Sequence, residues 1–564
     1  MYLDMHSDQA PVPDSLPDFR KDNVAAPKAG KTTTRGLSRQ NMTRIKQPIN
    51  ITRTAYACLS GLLLTASFPV MGSGVVAWFA LVPLWVALRN LSALHGFLLG
   101  FLTGSVHYLT LLYWFVPFLN TYGPFPMLMS MGVLLLLSSY LAVYVGLFSM
   151  ALAWFGMSLS ILFFLAPALW VSLEFIRSFL FSGFPWELLG HTQYNALHII
   201  QISDIVGVYG VSFLILLSNG LLFFLYQHVT RQDPQRRKTG SKQLFALALM
   251  VGGVIGAVWC YGAWRIPTLE NRISRAPHKR IAIVQGNIDQ TKKWDPAYQI
   301  STIEKYLELS KTEPANRPDL IVWPETTMPF YFVKNIPLTK MVVQGIQSNA
   351  TDTLLGSPAY TQKAQKVQYY NRAFLISHDG IVADSYDKAH LVPFGEYVPL
   401  KQWLPFLGKM VEHVGDFSTG SVGDTLDWGE HKIGALICYE LIFPFLSRAA
   451  VKNGAELLIN ITNDAWYGKT SAPYQHFSMA VFRAVETRRA LVRSANTGIS
   501  GFVDPIGRVL SETPLFEDAM IEEEIPLMSA QTPYVRFGDI FAVACIITAI
   551  LIMLRVKTNP SEKI

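Results

Sequence analysis

Lys432-Ile-Gly-Ala-Leu-Ile-Cys-Tyr-Glu440 is an apolar run that stops on a thiol, with an aromatic ring and a carboxylate directly after it. Residues 441–453 continue with a helical pattern that Gly454 closes. The expected local structure is a strand, a sharp turn and a helix. A cysteine at such a turn can sit near a helix N-terminus, where the positive end of the dipole favours thiolate. The chain has four cysteines, and Cys58, Cys260 and Cys545 fall in long apolar runs. Cys438 is therefore the single thiol of the polar part, with no partner there for a disulfide. A free cysteine is often an inert core residue, so its surroundings decide the matter.

At 564 residues the chain exceeds one ordinary core. It is 51% hydrophobic, 12% aromatic and 15% charged, with a mean hydropathy of +0.27. Soluble proteins carry roughly 25% charged residues, and the shortfall here lies in the first half and at the extreme end. The net charge is +7. Its basic residues gather beside the apolar runs, which points to a membrane surface and not to nucleic acid.

Residues 1–53 are polar, and from Arg20 to Arg53 nine Lys or Arg stand against one acid, Asp22. Such a stretch buries too little apolar surface to fold alone and is expected to be a disordered cytoplasmic tail touching anionic lipid. It does not resemble a secretory leader, whose short basic region precedes the apolar segment directly. Apolar stretches follow over 55–70, 73–89, 93–118, 125–156, 158–181, 202–227 and 243–264, with a last one at 538–555. A spanning helix needs about 20 apolar residues. The expectation is seven spans over 54–266 and an eighth within 536–564, the first two forming a tight hairpin through Met71-Gly-Ser-Gly74.

With eight spans, the basic tail, the loop Arg231-Gln-Asp-Pro-Gln-Arg-Arg-Lys238 and the terminal Arg555, Lys557 and Lys563 all fall on one side. By the bias of basic residues that side is the cytoplasm. The block 267–535 then faces the periplasm of a bacterium, anchored in its inner membrane. Arg265, Arg272, Arg275, Lys279 and Arg280 cluster on the outer side, as long translocated domains permit.

The outer block alternates strand-like and helix-like segments. The expected strands are 281–285, 319–323, 353–357, 371–377, 432–437, 456–462 and 491–496, and the expected helices 302–311 and 473–489. This alternation argues for an α/β unit with buried sheets. Three strand ends each carry one reactive group: Glu325 after Ile321-Val-Trp-Pro324, Lys388 in Tyr386-Asp-Lys-Ala-His-Leu-Val-Pro-Phe-Gly-Glu396, and Cys438. Sites in α/β folds gather at strand carboxyl ends. A carboxylate can take the thiol proton, an ammonium can stabilise thiolate and oxyanion, and the thiolate can attack an acyl carbonyl.

Trp323-Pro-Glu325, the Lys388 segment and Cys438-Tyr-Glu440 resemble the Glu-Lys-Cys set of the nitrilase superfamily. The flanking segments resemble its membrane branch, the bacterial apolipoprotein N-acyltransferases, over roughly residues 55–555. The basic tail looks like an extension outside that likeness. The resemblance implies a polytopic α-helical membrane domain of about eight spans with an inserted periplasmic nitrilase-like domain, an αββα sandwich. It implies transfer of an acyl chain from a phospholipid, phosphatidylethanolamine above all, to Cys438 as a thioester. The α-amino group of an S-diacylglyceryl-cysteine at an apolipoprotein N-terminus then accepts the chain, with no metal or dissociable cofactor. Carried over residue by residue, Glu325 is the base, Lys388 the electrostatic stabiliser, Cys438 the nucleophile and Glu396 a second carboxylate supporting the lysine. Tyr439 and Glu440 follow the nucleophile as in the family. Asn371, Trp466 and Glu486 match further positions around the pocket. For Trp466, packing at the rim stands beside lipid contact; for Glu486, a helix salt bridge within Arg483-Ala-Val-Glu-Thr-Arg-Arg489 is the alternative.

Other classes compete: a membrane-tethered amidase hydrolysing a small amide, or a non-catalytic scaffold. A hydrolase of soluble amides needs no eight-span platform, and all three triad positions are filled. Glu174 and Arg177 share a helix face and are expected to pair. Trp186 in Gly183-Phe-Pro-Trp-Glu187 is expected to anchor an interfacial loop. His191 and His198 lack an evident third ligand for a metal site. Phe330-Tyr-Phe332 and Trp403-Leu-Pro-Phe-Leu407 suit a lid dipping toward lipid. Lys388 lowers and burial raises the thiol pKa; selective alkylation of Cys438 near neutral pH is the expectation.

Overall fold

A computed structural model describes residues 48–123, 125–230, 234–363, 366–397 and 416–558. Residues 1–47 of the tail expected over 1–53, residues 231–233 of the basic loop, the lid segment 403–407 and Lys563 lie outside the described residues.

The N-terminal half is helical. Met127–Phe155, Ser203–Val229 and Gly240–Ile273 are long and apolar enough to cross a membrane, and Ala93–Leu111 with Phe115–Tyr122, bent by 51°, forms a further broken pair. The other apolar runs fold as shorter pieces: Ile51–Ala66, Gly74–Ala77, Val82–Ala87, Ala166–Arg177 continuing a π-turn at Ile161–Leu165, and Ile540–Thr558. Proline explains one of the breaks. Pro83 stands in the first turn of a new helix, where the missing N–H costs nothing. Asn219 satisfies the backbone freed between the second and third pieces, donating to the Ala77 carbonyl at 3.0 Å and accepting from the Leu81 N–H at 2.9 Å. Glu174 and Arg177 take separate partners. Glu174 accepts from the Trp170 indole and the Leu189 N–H, while Arg177 donates to the Tyr108 hydroxyl and the Trp186 carbonyl. The expected Glu–Arg pair thus gives way to bonds that reach outside the helix. His191 is buried against Phe482, and His198 stacks on Trp259.

The C-terminal half is built on strands β1 (His278–Gln285), β2 (Leu320–Val322), β3 (Asp352–Lys363), β4 (Lys366–Ile376), β5 (Val382–Asp387), β6 (Leu426–Trp428), β7 (His431–Ile437), β8 (Leu457–Thr462), β9 (Leu491–Ala495), β10 (Gly501–Val503), β11 (Val509–Glu512) and β12 (Ala519–Pro526). They form two six-stranded sheets, in the orders β12-β1-β2-β3-β4-β5 and β11-β10-β9-β8-β7-β6. In each sheet three strands run parallel, β1-β2-β3 and β7-β8-β9, and antiparallel strands extend both sides. The sheets meet face to face: Ser494 on β9 bonds to the carbonyls of Val284 on β1 and Val322 on β2. Helices Gln299–Leu309 and Ile336–Asn349 cover the first sheet through Ile303, Tyr306, Val342 and Ile346. Helices Pro444–Lys452 and Ala472–Thr487 cover the second. The order is therefore helix, sheet, sheet, helix.

Phe330 and Phe332 are buried in the core of the first sheet beside Phe374, and Tyr331 packs on Tyr360 and Tyr369. The segment expected to dip toward lipid is thus part of the sandwich, because its rings fill space over β3 and β4.

Helix Ala472–Thr487 also packs against Ser203–Val229 of the apolar half. That partner kinks at Gly207, whose φ of +65° a side chain would strain and whose open side the Tyr534 ring occupies. The kink frees the N–H of Val208, which donates to Glu486 at 3.0 Å. Gln475 fastens the same two layers. Its Oε1 accepts from the indoles of Trp114 and Trp186, at 3.2 and 2.9 Å, and its Nε2 donates to the Leu111 carbonyl at 3.2 Å. Replacing Gln475→Leu strands two buried indole N–H groups, each costing about 1–3 kcal/mol. A lowered thermal-unfolding midpoint in detergent is expected; an unchanged midpoint would show that this joint carries no stability.

Candidate functional site

Each reactive side chain sits just past a strand. Glu325 follows β2, Lys388 follows β5, Cys438 follows β7 and Asn463 follows β8. The sandwich brings these ends to one mouth. At Gly356 on β3, a Cβ would lie 2.8 Å from the Glu325 Cα and 2.6 Å from the Thr326 nitrogen. Only glycine lets the strand pass that close to the Glu325 turn.

Cys438 adopts φ +53°, a left-handed conformation unusual for a residue with a side chain. A short 3₁₀ turn, Cys438–Ile442, follows at once. Glu440 in that turn enforces the geometry. Its carboxylate accepts from the N–H of Ile437 at 2.7 Å, of Ala389 at 2.7 Å and of His390 at 2.9 Å, and from the Tyr386 hydroxyl at 3.0 Å. It thereby ties the Cys438 turn to the loop bearing Lys388. Burial pushes the Glu440 carboxyl up to about 7, while the Ile437 N–H, the Lys388 charge and the two loop N–H groups pull it down.

Lys388 is buried and lies 3.0 Å from Glu396 Oε1 and 3.7 Å from Glu325 Oε1. Burial works against its charge, but Glu396, Glu325 and Cys438 overcome it and hold the ammonium well above the ordinary lysine range. Asn371 donates to both carboxylates, at 2.8 Å to Glu325 and 2.9 Å to Glu396, and the Val392 N–H holds the other oxygen of Glu396 at 2.8 Å. Behind Cys438, Arg493 pairs with Asp464 at 2.6 Å, and Asp464 accepts from Thr462 at 3.1 Å. Asp464 stays ionised despite burial, drawn down to about 2 chiefly by Arg493.

The Cys438 thiol is pushed up to about 12, first by burial and then by the Glu325 carboxylate, with Lys388 and Thr462 opposing. The thiol of the resting protein therefore keeps its proton. Of the two opposing effects read from the sequence, the Lys388 charge and burial, burial is the larger.

Glu325, Lys388, Cys438, Glu396, Asn371, Tyr439 and Trp466 all line one cavity of about 690 Å³. Trp114, Phe115, Phe118, Met129, Leu136 and Phe181 of the apolar half line it too. Tyr439 donates to the Gly183 carbonyl at 3.2 Å, and Trp466 packs edge-on against Phe118 and Tyr122. Glu440 is behind the lining. Glu486 is not among the lining residues; it pairs with Arg483 at 2.9 Å and holds the Val208 N–H. Trp186, expected as an exposed anchor, is 1% exposed and forms part of the wall, because Gln475 takes its N–H. Sequence reasoning missed Lys293, Gln290 and Asn463, which also line the cavity, with Asn463 donating to Gln290 at 2.6 Å. The signal for Gln290 and Lys293 was the polar run Gly286-Asn-Ile-Asp-Gln-Thr-Lys-Lys-Trp294 directly after an apolar strand, and for Asn463 its place directly after the apolar strand Leu457–Thr462.

Such a set can pass a proton from thiol to carboxylate while a fixed cation faces the reacting carbonyl. Because the Glu325 charge raises the thiol pKa, Glu325→Gln lowers it. Cys438 of that variant is expected to react faster with iodoacetamide at pH 7 than the wild type, read by peptide mass mapping. Equal or slower alkylation would remove the carboxylate as a cause.

The Carbon-nitrogen hydrolase family matches residues 280–533, and the Apolipoprotein N-acyltransferase N-terminal domain matches residues 60–221. An apolipoprotein N-acyltransferase of Geobacter metallireducens is 45% identical over 501 residues, covering 88% of this chain and 94% of that one. Another, from Methylococcus capsulatus, is 32% identical over 493 residues, covering 86% and 92%. Among solved structures, a nitrilase-superfamily amidase of Nesterenkonia AN1 covers 47% of this chain and 97% of its own at 20% identity, with a TM-score of 0.35. By the identity to its relatives and the length over which it extends, the chain belongs to the apolipoprotein N-acyltransferase family.

Proposed function

We propose that this chain moves an acyl chain from a membrane phospholipid, through a thioester on Cys438, to the α-amino group of the S-diacylglyceryl-cysteine that begins an apolipoprotein. The observation that carries this reading is the shared cavity: one wall holds Glu325, Lys388 and Cys438, and the other belongs to apolar helices. A soluble amide needs no such wall; an acyl chain leaving a bilayer does.

Glu325 acts as the base. It takes the Cys438 proton as sulfur attacks the sn-1 ester carbonyl, and returns it to the departing sn-1 oxygen, so that a lysophospholipid leaves. Lys388 faces the oxyanion, its charge maintained by Glu396 and oriented with Asn371. In the second half the acceptor amine attacks the thioester, Glu325 takes the amine proton, and the thiol is restored. This is the two-step exchange of covalent catalysis. A thiol held near 12 suits it, because the proton moves only when an acyl carbonyl is in place. Tyr439 shapes the thiol side of the cavity, and Trp466 holds its rim against the apolar helices. Glu440 and Glu486 serve the frame and not the reacting atoms.

The reading places about eight spans over 54–266 and 536–564, a catalytic domain over 267–535 in the periplasm, and a basic cytoplasmic tail over 1–53, in a bacterial inner membrane. What supports it is that, with eight spans, the basic tail, the basic loop 231–238 and the terminal Arg555, Lys557 and Lys563 all fall on one side. Phosphatidylethanolamine is the proposed donor.

The test is intact mass spectrometry of the full chain in detergent with phosphatidylethanolamine. A hydroxylamine-sensitive acyl adduct on Cys438, discharged by a diacylglyceryl-cysteine peptide and absent in Cys438→Ser, is expected. An adduct discharged by water but not by the peptide would make the chain a lipid-facing hydrolase. No adduct on folded protein would overturn the acyl-transfer reading.

A further inference from the structure

Lys293 takes no part in the steps above, yet it lines the same cavity as Glu325, Lys388 and Cys438 and is only 2% exposed. It stands on the loop that follows β1, and its Nζ donates to the backbone carbonyl of Glu325 at 3.1 Å. That bond uses one of three ammonium N–H groups. Among the described residues no carboxylate oxygen lies within 4 Å of it, whereas Lys388 has two. A lysine is almost never buried this deeply without an acidic partner. The charges lining the cavity explain its retention. Among the described residues they are Glu325 and Glu396 on one side of the balance and Lys388 and Lys293 on the other. Without Lys293 the site is one positive charge short before any reaction begins.

We propose that Lys293 is a second cationic positioning residue of the acylation step: its ammonium, held on the Glu325 carbonyl, keeps positive charge beside the Cys438–Glu325 proton-transfer pair and offsets the negative charge that develops as sulfur attacks. This rests on the assignment of Cys438 and Glu325 given above. In that step the S–H proton passes to a Glu325 oxygen, the S–C bond forms, the ester C–O bond breaks, and the proton moves on to the departing oxygen. Lys293 keeps all of its protons throughout and acts through the field it imposes in a water-poor site.

The role has a pH signature. Burial brings Lys293 down to about 8, with Glu325 and Cys438 resisting. The titratable groups facing it are Glu325 and Cys438, then Lys388, Glu396, Tyr439 and Tyr467 along the lining, with Asp289 and Lys292 on its own loop. Burial raises Cys438, Tyr439 and Tyr467, and the neighbouring carboxylates keep Lys388 charged. Lys293 is the cation among them that is lost as pH rises through about 8, and acylation falls with it.

The experiment is single-turnover acylation of Cys438 in the full chain, in detergent with phosphatidylethanolamine, from about pH 6 to pH 10. No acceptor is present, so its amine does not enter the profile. The wild type is expected to lose rate on the alkaline side with a midpoint near 8. Lys293→Arg keeps its charge and should move that loss to higher pH. Lys293→Met should be slower by roughly 100-fold at pH 7 and flat across the limb. A wild-type profile without this limb, or the same limb in Lys293→Met, overturns the proposal; the first of these needs no variant to fold. A wild type that forms no adduct on Cys438 instead overturns the underlying assignment of the nucleophile.

Discussion

Glu440 receives hydrogen bonds from two separate stretches of chain, the end of β7 and the loop after β5. Everything reactive depends on that junction. It holds Cys438 in a backbone conformation that costs about 1–3 kcal/mol elsewhere, and it fixes the loop from which Lys388 projects. From Lys388 the order passes to Glu396, from Glu396 to Asn371, and from Asn371 to Glu325. Charge-assisted bonds in a buried setting are the strong ones. A chain of them sets the mutual positions of thiol, cation and carboxylate before any ligand arrives.

The same burial that strengthens those bonds suppresses the thiolate. Lys388 alone would favour ionisation of Cys438, yet desolvation and Glu325 outweigh it. The site therefore holds Cys438 as a neutral thiol next to a carboxylate.

Much of the site was legible in the sequence because it sits where apolar strands stop. Two such stops, at Glu325 and Cys438, lie past strands that form as expected, whereas Lys388 follows β5, Val382-Ala-Asp-Ser-Tyr-Asp387, a strand that no apolar run announces. Strand β12 was not legible: Glu522-Glu523-Glu524 reads as a solvated run, and it folds as a strand only because β1 offers it an edge. Burial was equally hidden. Trp186 and Phe330-Tyr-Phe332 have the composition of interfacial anchors, and only the tertiary arrangement gives Trp186 a partner in Gln475 and encloses Phe330 and Phe332 over the sheet. Pattern cannot tell a ring that meets lipid from one that meets another ring. The broken helices were masked for a related reason, since hydropathy does not register Pro83 as the start of a new helix.

Helix Ala472–Thr487 is buried along nearly its whole length, with a sheet on one side and the apolar helices on the other. In chain order its apolar partners, Trp114, Trp186 and Val208, are all synthesised first. The apolar half thus supplies the second face against which this helix is buried. Cut free from it, the catalytic domain would present Gln475, Phe482 and Glu486 to solvent on an unfinished face. The strand-built half and the apolar half meet at this helix, so that each completes the burial of the other.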